Sequence, residues 1–136
     1  MTAARLSAAA ESTERPAVID EVHLGRMTLG DRRLEREVLE LFLRQSTIML
    51  HRIAGADRPL AAAAAHTLKG SARGIGAWRV ARAAELLEQA AGSEGSGNAG
   101  PGLDHAVEEL KAASLEAGAA IGTRLTQLLA ELARGR

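Results

Sequence analysis

This 136-residue chain has no cysteine and no tyrosine, and its only Phe and Trp are Phe42 and Trp78. Without thiols there is neither a disulfide framework nor thiolate chemistry, and a reducing cytoplasm is allowed. So few aromatics, with apolar content that is mainly Ala and Leu, favour helices over a sheet. The chain also lacks an excess of either charge, since 17 Lys and Arg balance 17 Asp and Glu. Nucleic acid is therefore not an expected partner: there is no surplus of positive charge and almost nothing on which bases could stack. No apolar run approaches the roughly 18 residues needed to cross a bilayer, and no continuous hydrophobic segment opens the chain. A soluble, cytoplasmic protein with no membrane partner is the expectation. None of His23, His51, His66 and His105 has a second ligand at metal-like spacing, so no metal site and no cofactor are expected.

What is present is helical periodicity. The length suits one domain, and a chain near this size buries roughly 68% of the surface its unfolded form exposes. Residues 1–16 show weak periodicity and read as a flexible N-terminal tail, with the domain spanning 17–136. A short helix is expected over 19–27. Thr28-Leu29-Gly30-Asp31 then supplies turn and N-cap chemistry. A long helix follows, with Leu34, Val38, Leu41, Gln45, Ile48 and Arg52 as its stripe, ending near Gly55. Asp57 caps the next helix, with Pro59 tolerated in its first turn. Gly74 and Gly76 break that helix, and Val80, Ala83, Ala84, Leu87 and Ala91 mark a third long one. Residues 92–102, with five glycines, form a linker. The last helix carries Leu103, Val107, Leu110, Ser114, Ala117, Ile121, Leu125 and Leu128 to a frayed end. The expected fold is all-α, an antiparallel four-helix bundle with a short extra N-terminal helix.

The chemistry concentrates in Ala65-His66-Thr67-Leu68-Lys69-Gly70-Ser71-Ala72 and the continuing Arg73-Gly74-Ile75-Gly76-Ala77. On a helix His66, Lys69, Gly70 and Arg73 share a face, while Ala61, Ala65, Leu68, Ala72 and Ile75 form the opposite, wholly apolar stripe. The histidine thus faces outward, beside a cation and the small residues Ala62, Ala63 and Gly70. From Arg58 through Ala84 there are five basic residues, Arg58, Lys69, Arg73, Arg79 and Arg82, and no acidic one. The region around His66 is accordingly expected to be positive, which suits a phosphoryl group or an acidic partner. The glycines do not form a phosphate-cradling loop, because no strand precedes them and no Gly-Lys-Ser/Thr closes them. No Gly-x-Ser-x-Gly elbow is present, and so short a chain has no spare fold to hold ATP.

The string resembles the signature of histidine-containing phosphotransfer (HPt) domains, roughly His-x-Leu-Lys-Gly-Ser/Ala-Ser/Ala followed by an apolar-Gly-Ala turn, and matches it throughout. The resemblance extends from about Ile19 into the last helix. It implies a phosphocarrier, not an enzyme, of a two-component phosphorelay. His66 would take and give the phosphoryl group, and Lys69 would stabilise it. Glu88 or Gln89, about 22 residues on, would orient the imidazole. Ala62, Ala63, Gly70, Arg73, Arg79 and Arg82 would meet the partner. The partners implied are receiver domains of hybrid sensor kinases and response regulators, with Mg²⁺ carried by the receiver and this chain a monomer. Two other readings stay open: a bundle that docks receivers without being phosphorylated, and a phosphorylatable domain of a chemotaxis-type kinase.

Overall fold

The structure, a computed structural model, describes residues 17–92 and 100–135. The expected tail at 1–16 and most of the expected linker lie outside the described residues. Five helices follow in order: α1 (Glu21–Met27), α2 (Arg32–Gly55), α3 (Arg58–Ile75), α4 (Trp78–Gly92) and α5 (Gly100–Arg134), with no strand among the described residues.

Side-chain caps set the starts of the first three. Asp20 accepts from the His23 N–H, Asp31 from the Arg33 and Leu34 N–H groups, and Asp57 from the Leu60 N–H, which satisfies donors that a helix start leaves without partners. Pro59 sits in the first turn of α3, where a missing N–H costs little. Gly74 does not break α3 as expected. The helix runs through it and stops at Gly76, whose backbone is left-handed at φ +80°. A Cβ at Gly76 would also lie 2.9 Å from both Cβ and carbonyl O of Asp20, so shape and space alike require glycine there. α5 begins at Gly100, inside the segment whose composition reads as linker.

Two-residue connections, Ala56-Asp57 and Gly76-Ala77, fold α2, α3 and α4 antiparallel. Each of the four long helices packs on two neighbours, in the ring α2–α3–α4–α5 and back to α2, while α1 packs on α3. The fold is an all-α, antiparallel four-helix bundle with a short additional N-terminal helix. Its core contains the expected stripes of α3 and α4 in full, together with Ala106, Leu110, Ala117, Ile121 and Leu128 of α5.

The stripe expected on α2 is out of phase by one residue. The buried positions are Glu35, Leu39, Phe42, Ser46, Met49 and Ile53, whereas Leu34, Leu41 and Ile48 are exposed. Both series repeat at helical spacing and each carries two polar residues, Glu35 and Ser46 on the inner face and Gln45 and Arg52 on the outer, so polarity alone does not choose between them. What allows Glu35 inside is Arg124 of α5, whose Nε and Nη2 donate to its two oxygens at 2.6 and 3.2 Å. Those bonds hold the Arg124 guanidinium above its ordinary pKa, against the opposing effect of burial. A carboxylate met by a two-pronged partner is tolerated where a lone one is not.

Candidate functional site

α3 is held by its apolar stripe against the core, which turns His66 outward with about two-thirds of its side chain exposed. The antiparallel α4 passes beside it and brings Glu88 across. Glu88 Oε2 lies 2.8 Å from His66 Nδ1, and Glu88 Oε1 lies 2.7 Å from Lys69 Nζ. The carboxyl is held below its ordinary pKa, first by the Lys69 hydrogen bond and then, against some burial, by the His66 contact. An ionised carboxylate can only accept, so Nδ1–H is the donor. In the neutral ring this leaves the lone pair on Nε2, the nitrogen that Glu88 does not hold.

The other residues singled out by sequence fall into three groups. Ala63 and Gly70 lie exposed beside His66, and a Cβ at Gly70 would meet nothing within 4 Å, so the outer surface of α3 is open there. Ala62 is half-buried on the flank nearer Lys69. The Gln89 side chain is exposed and makes no hydrogen bond to a described residue, so of the two candidates only Glu88 meets the ring. Arg79 and Arg82 line the groove between α4 and α5 with Glu109 and Glu116, and Arg79 bonds Glu116 at 2.8 Å. They stand on a different side of α4 from Glu88, consistent with their spacing along that helix.

The charge around His66 is also more balanced than expected. Residues 58–84 contain no acid, but α4 folds Glu85 and Glu88 back onto this face, where they pair with Arg73 (3.3 Å) and Lys69. Lys69, with only 15% of its side chain exposed, is a partner of Glu88 and not a free cation.

Sequence reasoning did not single out three further residues. Asp20 accepts from Trp78 Nε1–H at 2.9 Å, and its pKa is lowered chiefly by that bond. His23 donates from Nε2 to the Arg73 carbonyl at 2.8 Å and lies against the Trp78 ring, with centroids 4.9 Å apart. Together they latch α1 to the turn after α3. No local motif signals this, because the partners are 50 and 58 residues apart in sequence. Among the described residues no group of three His, Cys, Asp or Glu side chains could hold a metal ion, and no helix is long and apolar enough to cross a membrane.

Fold and site together define a helical bundle that presents one oriented imidazole on its outer surface. The chain belongs to the Hpt domain family, whose model matches residues 37–135 and thus all of α3, α4 and α5 and most of α2. No curated protein matches it. Hpt domains are phosphocarriers rather than kinases, take part in histidine phosphotransfer in phosphorelays, and interact with receiver domains.

Proposed function

We propose that this protein carries a phosphoryl group on Nε2 of His66, receiving it from the aspartyl phosphate of one receiver domain and passing it to the aspartate of another. The observation that carries the reading is the Nδ1–H···Glu88 bond at 2.8 Å on a ring whose other face is open to solvent. That bond puts the nucleophilic lone pair on the accessible nitrogen and stabilises positive charge on the ring as Nε2 is bonded to phosphorus. Transfer is in line: Nε2 attacks the phosphorus, the N–P bond forms as the acyl P–O bond breaks, and the receiver's carboxylate departs. The reverse sequence discharges the carrier.

Lys69 acts in this scheme through Glu88, keeping the carboxylate ionised and aimed at the ring. Its ammonium has two further N–H groups, one of which serves an equatorial phosphoryl oxygen in the charged carrier. Mg²⁺ and the acidic groups that bind it belong to the receiver. The donor is the receiver of a hybrid sensor kinase and the acceptor that of a response regulator, with the carrier working as a cytoplasmic monomer. A bundle that merely docked receivers would have no use for a ring oriented in this way.

The test is phosphorylation by a phosphorylated receiver. The label on the carrier is expected to be acid-labile and base-stable and to vanish in His66→Gln, while the variant keeps its helical circular dichroism. Undiminished labelling of His66→Gln would refute the assignment.

A further inference from the structure

The bond that orients His66 depends on how α4 lies against α3, and the facing surfaces of these helices fix that only loosely. Of the six buried residues of α3 all but Leu68 and Ile75 are alanines, and of the six on α4 all but Val80 and Leu87. Methyl groups make short ridges and shallow grooves, so helices packed through them resist sliding and axial rotation less than helices with long interlocking side chains. Nor does α4 cap its own start. The residue before it is Ala77, which has no side-chain oxygen to offer the first N–H groups, unlike Asp20, Asp31 and Asp57 ahead of the first three helices. The Arg73–Glu85 pair also links α3 to α4, but it is exposed and 3.3 Å long, and such pairs yield readily. What holds this end firmly comes from outside the two helices. Asp20, ahead of α1, joins three segments at once. Its backbone N–H donates to the Gly76 carbonyl at 3.0 Å, its Oδ1 caps α1 through the His23 N–H at 3.0 Å, and its Oδ2 accepts from Nε1–H of Trp78, the first residue of α4, at 2.9 Å. His23 adds the bond to the Arg73 carbonyl in the last turn of α3. The end of α3 and the start of α4 are thus tied to one external point.

We propose that Asp20 and Trp78 are positioning residues for phosphotransfer: their bond pins the start of α4 to the turn after α3 and so sets the rotation of α4 that brings Glu88 to Nδ1 of His66. This rests on the phosphocarrier reading above. Neither residue bonds His66, and both act through Glu88. The lever is short and stiff, since Trp78 and Glu88 stand on one unbroken helix, about 15 Å apart along its axis. A rotation of about 20° moves a group at the helix surface, roughly 6 Å from the axis, by about 2 Å. That displacement exceeds what a 2.8 Å hydrogen bond tolerates. Lys69 limits the damage, because it holds the other oxygen of Glu88 and keeps the carboxylate near the ring. Loss of the Asp20–Trp78 bond therefore weakens the orientation of the imidazole without abolishing it. The short N-terminal helix acquires a role by the same argument: it serves as an external clamp on the helix pair that builds the site.

Three substitutions test the clamp. Trp78→Phe keeps a ring and removes the N–H, Asp20→Ala removes the acceptor, and Asp20→Asn keeps an oxygen that can accept from Trp78. Ile121→Val, a buried change on α5 of similar modest cost, controls for stability alone. Two readings are taken on each folded variant. The first is the ¹⁵N signal of the His66 ring, assigned with His66→Gln, which reports where the neutral imidazole carries its proton. The second is the rate of labelling by phosphoramidate, a small donor that needs no protein partner. In Trp78→Phe and Asp20→Ala a share of the ring proton is expected to move from Nδ1 to Nε2, and labelling to slow about three- to tenfold. Asp20→Asn should recover most of both, and Ile121→Val should change neither. In a Glu88→Ala background Trp78→Phe should slow labelling no further, because there is no carboxylate left to place. A wild-type ring signal and rate in Trp78→Phe would overturn the proposal, and so would a loss that persists undiminished in Glu88→Ala. Should Asp20→Ala not fold, Trp78→Phe decides alone. If wild-type His66 took no phosphoryl group from phosphoramidate or from a receiver, the phosphocarrier reading would fall, while the ring signal would still judge the clamp.

Discussion

The Lys69–Glu88 ion pair makes a quantitative claim that a double-mutant cycle can test. Its Nζ–O separation is 2.7 Å, and the two side chains are 15% and 29% exposed. A pair this sheltered should exceed the roughly 0–1 kcal/mol of a surface bridge yet fall short of the 3–5 kcal/mol lost when a fully buried pair is broken. A charge-assisted hydrogen bond in such a setting contributes about 1–2 kcal/mol. Lys69→Met keeps the apolar stem of the side chain and removes the ammonium, so it should lower the free energy of unfolding at pH 7 by about that amount. Made in a Glu88→Ala background, the same change should cost almost nothing, which gives a coupling energy of about 1–2 kcal/mol.

Transfer kinetics should follow the same pattern. If Lys69 acts through Glu88, Lys69→Met slows single-turnover phosphorylation of the wild-type background but much less that of Glu88→Ala. Urea denaturation and rapid-quench transfer on the four proteins supply both cycles. Stability effects that add to within about 0.3–0.5 kcal/mol would refute the ion pair as a coupled unit. A rate loss undiminished in Glu88→Ala would show that Lys69 acts on the phosphoryl group alone and not through Glu88. The pH dependence has a defined sign. Because Glu88 is held below its ordinary pKa in the folded state, its contribution is present above the unfolded value of about 4.3 and is lost as pH falls through the lower folded value. Lys69→Met should flatten that acid limb.

Gly70→Gln should fold normally, since a side chain there meets open space, and should gain about 0.5–1 kcal/mol from better helix propensity while slowing transfer from a receiver; unchanged transfer would show that the partner does not approach over Gly70. Gly76→Ala should cost roughly 1–3 kcal/mol from left-handed strain, besides the clash with Asp20, and should loosen α1. Trp78 is the only tryptophan and bonds to Asp20, so its fluorescence reports that loosening directly. Arg124→Met should cost about 2–3 kcal/mol by leaving Glu35 buried, with only the more distant Arg32 at 3.9 Å, and Glu35→Leu added to it should restore most of the loss in a urea titration.

The sequence by itself determined the helical class, the number of long helices, the caps at Asp31 and Asp57, the inner stripes of α3 and α4, and the outward direction of His66. These are local properties: capping acts over three or four residues, and on α3 and α4 a single apolar stripe stands against polar or small residues, so the helical period leaves one phase. On α2 nearly every position of two adjacent stripes could face inward, and local pattern could not choose between them. The choice was made 89 residues away, where Arg124 meets Glu35 and makes its burial tolerable. Tertiary structure likewise decided that Glu88 and not Gln89 meets the imidazole, because the rotation of α4 against α3 is a packing outcome that spacing along the chain leaves open by one residue. It decided the electrostatics as well. In a stretch without acids in sequence, Lys69 and Arg73 are paired in space with Glu88 and Glu85 of α4, because antiparallel packing brings residues 19 and 12 positions away within ion-pair distance.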